Sequence, residues 1–297
     1  MTKIRSLWRL MRPHQWIKNV FVFTGLIFGH YWTDVDFLQR ALFAALAFSL
    51  LSSSIYVIND LLDRESDRLH PVKKSRPIAA GLVNTTEAII LFVALFTISL
   101  FMGWLLSGRA FAVLVAYGLM NIAYSFRLKH VVLLDVFCIA TGFMLRIMIG
   151  TWGLGIPPSK WLLLCGLMVT LFLGFAKRRA EIFVLQDDKE GHRKVLKNYS
   201  SGMLDEFSSI CASGVIISYS LYTMSPTTIF SHGTDDLIAT VPFLVYGLFR
   251  YTYLLHSGFG GGDPSKDLFR DRHILGAVIG WALATIYFLM WHGKMGY

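Results

Sequence analysis

Apolar residues gather along the chain into blocks of roughly 17–21 positions, the length that crosses the hydrocarbon of a bilayer as an α-helix. Nine such blocks fall near residues 17–33, 39–58, 88–106, 109–126, 131–150, 160–176, 208–225, 237–255 and 273–292. The pattern predicts an all-α fold, a polytopic membrane helical bundle of about nine transmembrane helices. No linker, low-complexity tract or second soluble segment interrupts it, so residues 1–297 read as a single integral membrane domain. The opening stretch, residues 1–16, is basic and amphipathic and runs straight into the first block without a small-residue cleavage site. It is expected to be a retained cytoplasmic arm rather than a signal peptide. Trp16, Trp32, Trp152, Trp161 and Trp291 stand near block ends, where an interfacial aromatic belt accounts for them.

Charge fixes the expected orientation. When the connections are assigned alternately to two sides, 23 of the 28 Lys and Arg residues fall on one side and four on the other, with Arg146 inside a block. The positive-inside rule then puts the N-terminus and the long loops in the cytoplasm and the C-terminus outside a plasma membrane. The net charge of +9 follows from this asymmetry, and no nucleic-acid partner is needed to explain it. With 55% hydrophobic and 16% charged residues, the composition excludes an ordinary soluble enzyme. Cys138, Cys165 and Cys211 lie inside blocks and form no CxxC pair, so they are expected to be small buried hydrophobes. The nine histidines show no HExxH or paired spacing, which argues against zinc. The glycine-rich stretch 258–264 follows a membrane helix rather than a strand and is not a dinucleotide fingerprint.

The sharpest chemical signal is Asn59-Asp60-Leu-Leu-Asp63-Arg-Glu-Ser-Asp67, at the cytoplasmic end of the second block. If the helix continues, positions 60, 63 and 67 share one face. Three carboxylates on one stripe repel each other, and acids at a helix C-terminus oppose the macrodipole, so the arrangement calls for a cation. Oxygen-only ligands at a wet helix end suit Mg²⁺, which keeps waters and completes its shell with substrate phosphates. Lys73, Lys74 and Arg76 follow at once, and such donors satisfy the remaining oxygens of a metal-bridged diphosphate. Arg146 is a second signal, because an intramembrane arginine faces a cavity or a partner. It shares a helical stripe with Asp135, so the two are expected on one cavity, unless backbone carbonyls alone hold the arginine.

Asn59-Asp60-x-x-Asp63-x-x-x-Asp67 followed by Lys74-x-Arg76-Pro77-x-x-x-Gly81 resembles the first Asp-rich motif of UbiA-type membrane transferases, and the nine-block layout matches theirs over essentially the whole chain. The second Asp-rich motif usual in that superfamily is replaced here by Lys177-Arg178-Arg179-Ala-Glu181, with Asp187 and Asp188 only later. Arg12-Pro13-His14-Gln15-Trp16-Ile17-Lys18-Asn19, Tyr124-Ser125, Lys129, His192-Arg193-Lys194-Val195-Leu196 and Leu268-x-x-Asp271-Arg272 are similar to the decaprenyl-phosphate phosphoribosyltransferase branch. The resemblance implies phosphoribosyl diphosphate as donor, a polyprenyl phosphate as acceptor and Mg²⁺ as cofactor, in some relatives on the way to cell-envelope arabinose. It implies a metal held by Asn59, Asp60, Asp63 and Asp67. Lys73, Arg76, Lys177 and Arg178 would neutralise the donor diphosphate, with Lys74 and Glu181 as further substrate-binding candidates whose partner the sequence leaves open. The lipid phosphate would lie near Lys18 and Lys129, with Asn19 and Tyr124 as further substrate-binding candidates and Asp135 and Arg146 lining the cavity. The rival expectations are prenyl transfer to an aromatic acceptor and, from another class, transport. Transport would need charges spread through the depth of several helices, and only Arg146 is deep.

Overall fold

The computed structural model describes residues 3–29, 31–71, 73–185, 196, 198–257 and 270–292. Among these the chain is α-helix and 3₁₀-helix with no strand. It forms two compact units, one of residues 1–129 and 142–158, the other of residues 130–141 and 159–297.

The first unit is built on α3 (Val35–Leu62), with α1 (Lys3–Met11), α2 (Thr24–Phe28), α4 (Arg64–Leu69), α5 (Thr85–Leu106) and α6 (Gly108–Phe126). Asp34 caps α3 by accepting from the amides of Asp36 and Phe37, and Asn84 and Glu87 form a reciprocal capping box at α5. α3 buries Ala41, Ala44, Ala47, Ser49, Ser52, Ser53 and Ser54, and small residues let membrane helices approach closely. Ser99 of α5 donates to the Ala47 carbonyl at 2.7 Å across that contact. Phe48, Leu51, Leu114 and Ile149 fill the centre of the unit.

The first predicted crossing takes a different form. Residues Pro13–Phe23 wind as a 3₁₀-helix of 11 residues before α2. At about 2.0 Å per 3₁₀ residue and 1.5 Å per α residue the two together still cover about 30 Å, the thickness of the hydrocarbon. The tighter winding has a visible cause. Side chains three apart eclipse in a 3₁₀-helix, and here Trp16, Asn19 and Val22 form that row. Trp16 donates to Ser53 at 2.9 Å, Asn19 to Ser49 at 2.7 Å, and Val22 is buried. The row ends on backbone. A Cβ on Gly150 would stand 1.7 Å from the Val22 carbonyl oxygen, and one on Gly25 would stand 2.2 Å from that of Gly150.

α7 (Leu134–Gly150) opens in the second unit and closes in the first. The second unit also contains α8 (Lys160–Leu185), α9 (Ser201–Met224), α10 (Pro226–His232), α11 (Val241–His256) and α12 (Arg272–His292). α8 passes the predicted end at 176, so Lys177 to Glu181 ride on a helix that continues beyond its apolar part. α9 packs on α8 through ring contacts such as Phe175 with Phe207, centroids 5.2 Å apart. Asp271 caps α12, accepting from His273 and Ile274 amides at 3.0 and 2.9 Å, and pairs with Arg250 of α11 at 2.8 Å.

Eight spans among the described residues are long and apolar enough to cross a membrane. Large apolar side chains such as Ile90, Trp104, Leu119 and Leu283 are exposed on them, as lipid-facing residues must be. All three cysteines are buried. The chain is an integral membrane protein.

Candidate active site

α3 ends at Leu62, Asp63 leaves helical geometry (φ −88°, ψ 5°), and α4 starts at Arg64. That break divides the acidic stripe. Asp60 and Asp67 are 2% and 3% exposed and converge on Arg76, whose Nη1 lies 3.2 Å from Asp60 Oδ1 and 2.6 Å from Asp67 Oδ2. Asp63 turns away to Lys129, whose Nζ is 3.0 Å from its Oδ1. Its side chain is 41% exposed. Asn59 accepts from the Ser125 hydroxyl. The turn that presents Arg76 closes at Gly81 (φ +72°), a left-handed position natural to glycine. Behind it Ile78 and Val83 pack with Leu10 and Val57. Lys73 and Lys74 sit on the short 3₁₀ turn before Arg76, Lys74 exposed and Lys73 half-buried.

Arg12 completes the group. Its Nη2 lies 2.5 Å from Asp60 Oδ1, and its guanidinium stands 5.0 Å over the Tyr56 ring. Its backbone is left-handed (φ 53°, ψ 57°), a conformation that costs a non-glycine residue roughly 1–2 kcal/mol. Strain of this kind persists only where surrounding contacts determine it. Two carboxylates and two guanidinium groups thus form one nearly neutral, half-enclosed cluster.

The donor chemistry fits Mg²⁺. Among the described residues no three His, Cys, Asp or Glu side chains close a ready-made metal cage. Asp60 and Asp67 instead meet at a single cationic nitrogen, so one cation can be shared by both. Mg²⁺ is ordinarily held by one or two carboxylates together with waters and substrate phosphates, so an all-oxygen pair suffices. Of the fourfold set read from the sequence, Asp60 and Asp67 converge on Arg76, while Asn59 accepts from Ser125 and Asp63 pairs with Lys129.

The second unit carries its own charged group. Arg178 is 1% exposed and Asp135 0%, with Nε 2.9 Å from Oδ2, and Arg178 Nη1 also pairs with Glu181. The Tyr199 hydroxyl donates to Asp135 Oδ1 at 2.7 Å and accepts from the Leu133 amide at 2.7 Å, with Leu133 itself left-handed (φ 67°). Burial, then the bond to Asp135, pushes the Tyr199 phenol above its ordinary range. A buried ion pair needs such extra hydrogen bonds to offset desolvation. Lys177 is exposed beside this group, and Arg179 pairs with Asp205 at 2.5 Å and donates to the Leu255 carbonyl at 2.8 Å.

Arg146 and Asn19 satisfy each other. Arg146 Nε donates to Asn19 Oδ1 at 2.8 Å, Nη1 to the Gly142 carbonyl at 2.7 Å and Nη2 to the Tyr117 hydroxyl at 3.2 Å. The rings of Phe48, Tyr117 and Phe143 surround the guanidinium at 4.9–5.2 Å. Both residues are buried, and Arg146 is held by more than carbonyls. Lys18 and Tyr124 are half-buried beside Asn19 and Ser125 respectively.

The structure thus joins Asp60, Asp67 and Arg76, and separately Asp63 with Lys129, Asn19 with Arg146, and Asp135 with Arg178 and Glu181. Arg12 and Tyr199 were not singled out as site residues, and only the Arg12-Pro13 dipeptide at the start of a motif marked the first. Asp187, Asp188, the stretch His192 to Val195, the glycine-rich stretch 258–264 and Leu268 lie outside the described residues.

The chain is a helical membrane bundle with a partly buried acid–base cluster at a helix end. The UbiA prenyltransferase family model matches residues 19–270, and the chain belongs to that family. It is 32% identical over 282 residues to a decaprenyl-phosphate phosphoribosyltransferase of Mycobacterium tuberculosis, covering 94% of this chain and 92% of that one. It is 31% identical over 304 residues to the protein of the same description from Mycolicibacterium smegmatis, covering 99% and 92%. The fold is similar to that of a UbiA homolog from Archaeoglobus fulgidus bound to DMAPP and Mg²⁺, with TM-score 0.72, 18% identity, and 97% and 98% of the two chains covered.

Proposed function

We propose that this chain, acting as one membrane domain, transfers the 5-phosphoribosyl group of phosphoribosyl diphosphate to a polyprenyl phosphate and releases diphosphate. The likeness to phosphoribosyltransferases over nearly the full length of both chains carries this reading. Mg²⁺ at Asp60 and Asp67 would supply charge neutralisation for the leaving diphosphate. Arg12 and Arg76 already lie on those carboxylates, so their remaining N–H groups are placed to donate to phosphate oxygens arriving there. Lys73 and Lys74, on the turn before Arg76, add cationic donors at the same rim.

The sugar C1–O bond to diphosphate breaks, with its electron pair leaving on diphosphate, and a bond from C1 to a lipid phosphate oxygen forms. Positive charge develops at C1 as the first bond lengthens, and nearby carboxylates stabilise it electrostatically. The nucleophile is already an anion, so no general base is required, in keeping with a site that contains no histidine among the residues joined there. The proposed setting is the plasma membrane, with the N-terminus and this site on the cytoplasmic side and the C-terminus outside.

Purified protein with Mg²⁺ should move label from phosphoribosyl diphosphate onto a long polyprenyl phosphate, and EDTA should stop it. No labelled lipid, together with product from prenyl diphosphate and 4-hydroxybenzoate, would replace this reading with aromatic prenyl transfer.

A further inference from the structure

α1 has three faces, and only one of them is used by the protein. Leu7 and Leu10 pack into the cluster of Val57, Ile78, Val83 and Ala88, and Lys3 pairs with Glu87 at 2.6 Å. A second row, Ile4 and Trp8 one turn apart, is 80% and 56% exposed. Beside it lies a third row, Arg5 and Arg9, also exposed and paired with no carboxylate among the described residues. Nine residues are too few to cross a bilayer. The exposed apolar row therefore is not part of a span, yet it is the most exposed apolar surface on the amphipathic arm.

We infer that α1 lies in the plane of the membrane surface and docks on anionic phospholipid, with Ile4 and Trp8 in the acyl boundary and Arg5 and Arg9 among the headgroups. An apolar row flanked by cations, on a helix too short to span, is the pattern of an interfacial helix. The neighbouring surface names the same occupant. Trp8 rests edge-on against Trp16 at 5.9 Å, and Trp16 begins the wall of an open groove of about 270 Å³ lined by Ile17, Val20, Phe23 and Ala45 together with Asn19 and Ser49. Ile17 and Val20 are exposed apolar residues of the first crossing. The apolar row of α1 thus runs on into surface that already faces lipid, whereas a soluble partner would have to cover half of a continuous strip. Anionic headgroups complement two unpaired arginines, and zwitterionic ones do so poorly. The seat has a structural consequence as well, because Met11 leads directly into Arg12, which holds Asp60.

The test uses the full chain in vesicles with a nitroxide at Ile4→Cys, the three native cysteines being buried. In phosphatidylcholine containing phosphatidylglycerol, the label should collide more often with dissolved oxygen than with a water-soluble nickel complex. The preference should fall severalfold in phosphatidylcholine alone and in the Arg5→Glu, Arg9→Glu background. A label at Arg9→Cys, on the basic row, should stay accessible to nickel. Position 4 open to water in both membranes, or equally deep in both, overturns the inference. So does dipolar broadening between labels, which would put a second copy of the chain on this face.

Discussion

Arg12 and Asp60 are 48 positions apart and meet at 2.5 Å, with the arginine's backbone in the left-handed region. Strain and ion pair sit on the same residue and can be separated. Arg12→Gly removes both, whereas Arg12→Ala removes the pair and keeps the strain. The glycine variant should be the more stable of the two by about 1 kcal/mol, the cost of a left-handed Cβ less the added chain entropy. Thermal unfolding of both proteins in the same detergent checks this. Equal midpoints would show that position 12 relaxes out of the left-handed region once Asp60 is released.

Asp60 and Asp63 should behave differently despite their spacing. Asp60 is enclosed and shared by two arginines, so Asp60→Asn leaves both without their partner and should cost roughly 1–3 kcal/mol. Asp63 is a half-exposed partner of Lys129, and Asp63→Asn should cost under about 1 kcal/mol. Turnover should fall by roughly 100-fold or more for Asp60→Asn, the scale for losing one electrostatic contact at a reacting centre. Equal losses at the two positions would restore the undivided stripe.

Much of this was legible in the sequence, and the exceptions have a common cause. The blocks near 39–58, 88–106, 109–126 and 273–292 became helices within a few residues, because lipid-facing helices must be apolar over their whole length. The spacing marked Asp60, Asp67 and Arg76 as near neighbours, but it did not show the helix break at Asp63 that turns this carboxylate to Lys129. The 3₁₀ winding of Pro13–Phe23 was hidden because an apolar run carries no strong period, and only its row of half-buried Trp16 and buried Asn19 and Val22 shows the repeat of three. Arg12 with Asp60, Asn19 with Arg146 and Tyr199 with Asp135 pair across 48, 127 and 64 positions, where no helical period connects the partners.

Asp271 sets an acid limit on the second unit. Hydrogen bonds from Arg250, helped by the Ile274 and His273 amides, hold its carboxyl below the usual carboxylate range despite some desolvation. A depressed value in the folded state stabilises fully above the unfolded value, near about 3.9, and that stabilisation is lost as pH falls through the folded value. Wild type should therefore exceed Asp271→Asn in unfolding midpoint at neutral pH, and the gap should close on acidification below about pH 4. A gap that stays constant into acid would mean that geometry alone carries the cap.

Gly150→Ala should be the most damaging of the small substitutions, because its methyl would meet the Val22 carbonyl at 1.7 Å, and backbone cannot step aside as a side chain can. The loss should exceed about 3 kcal/mol, the upper end for ordinary overpacking. Gly276→Ala on α12 meets nothing within 4 Å and should gain about 0.5–1 kcal/mol. Unfolding midpoints of the two variants against wild type decide it, and a Gly150→Ala protein as stable as wild type would show that the contact with residues 22–25 is slack.

Arg146 has an electrical consequence. Its partners are an amide, a carbonyl, a phenol and three ring faces, so within the described residues no carboxylate cancels its charge. A guanidinium does not lose its proton in a protein. Its charge therefore stands uncancelled among aromatic rings, where it is screened weakly. An uncancelled guanidinium packed in the first unit would disfavour the passage of small cations past it.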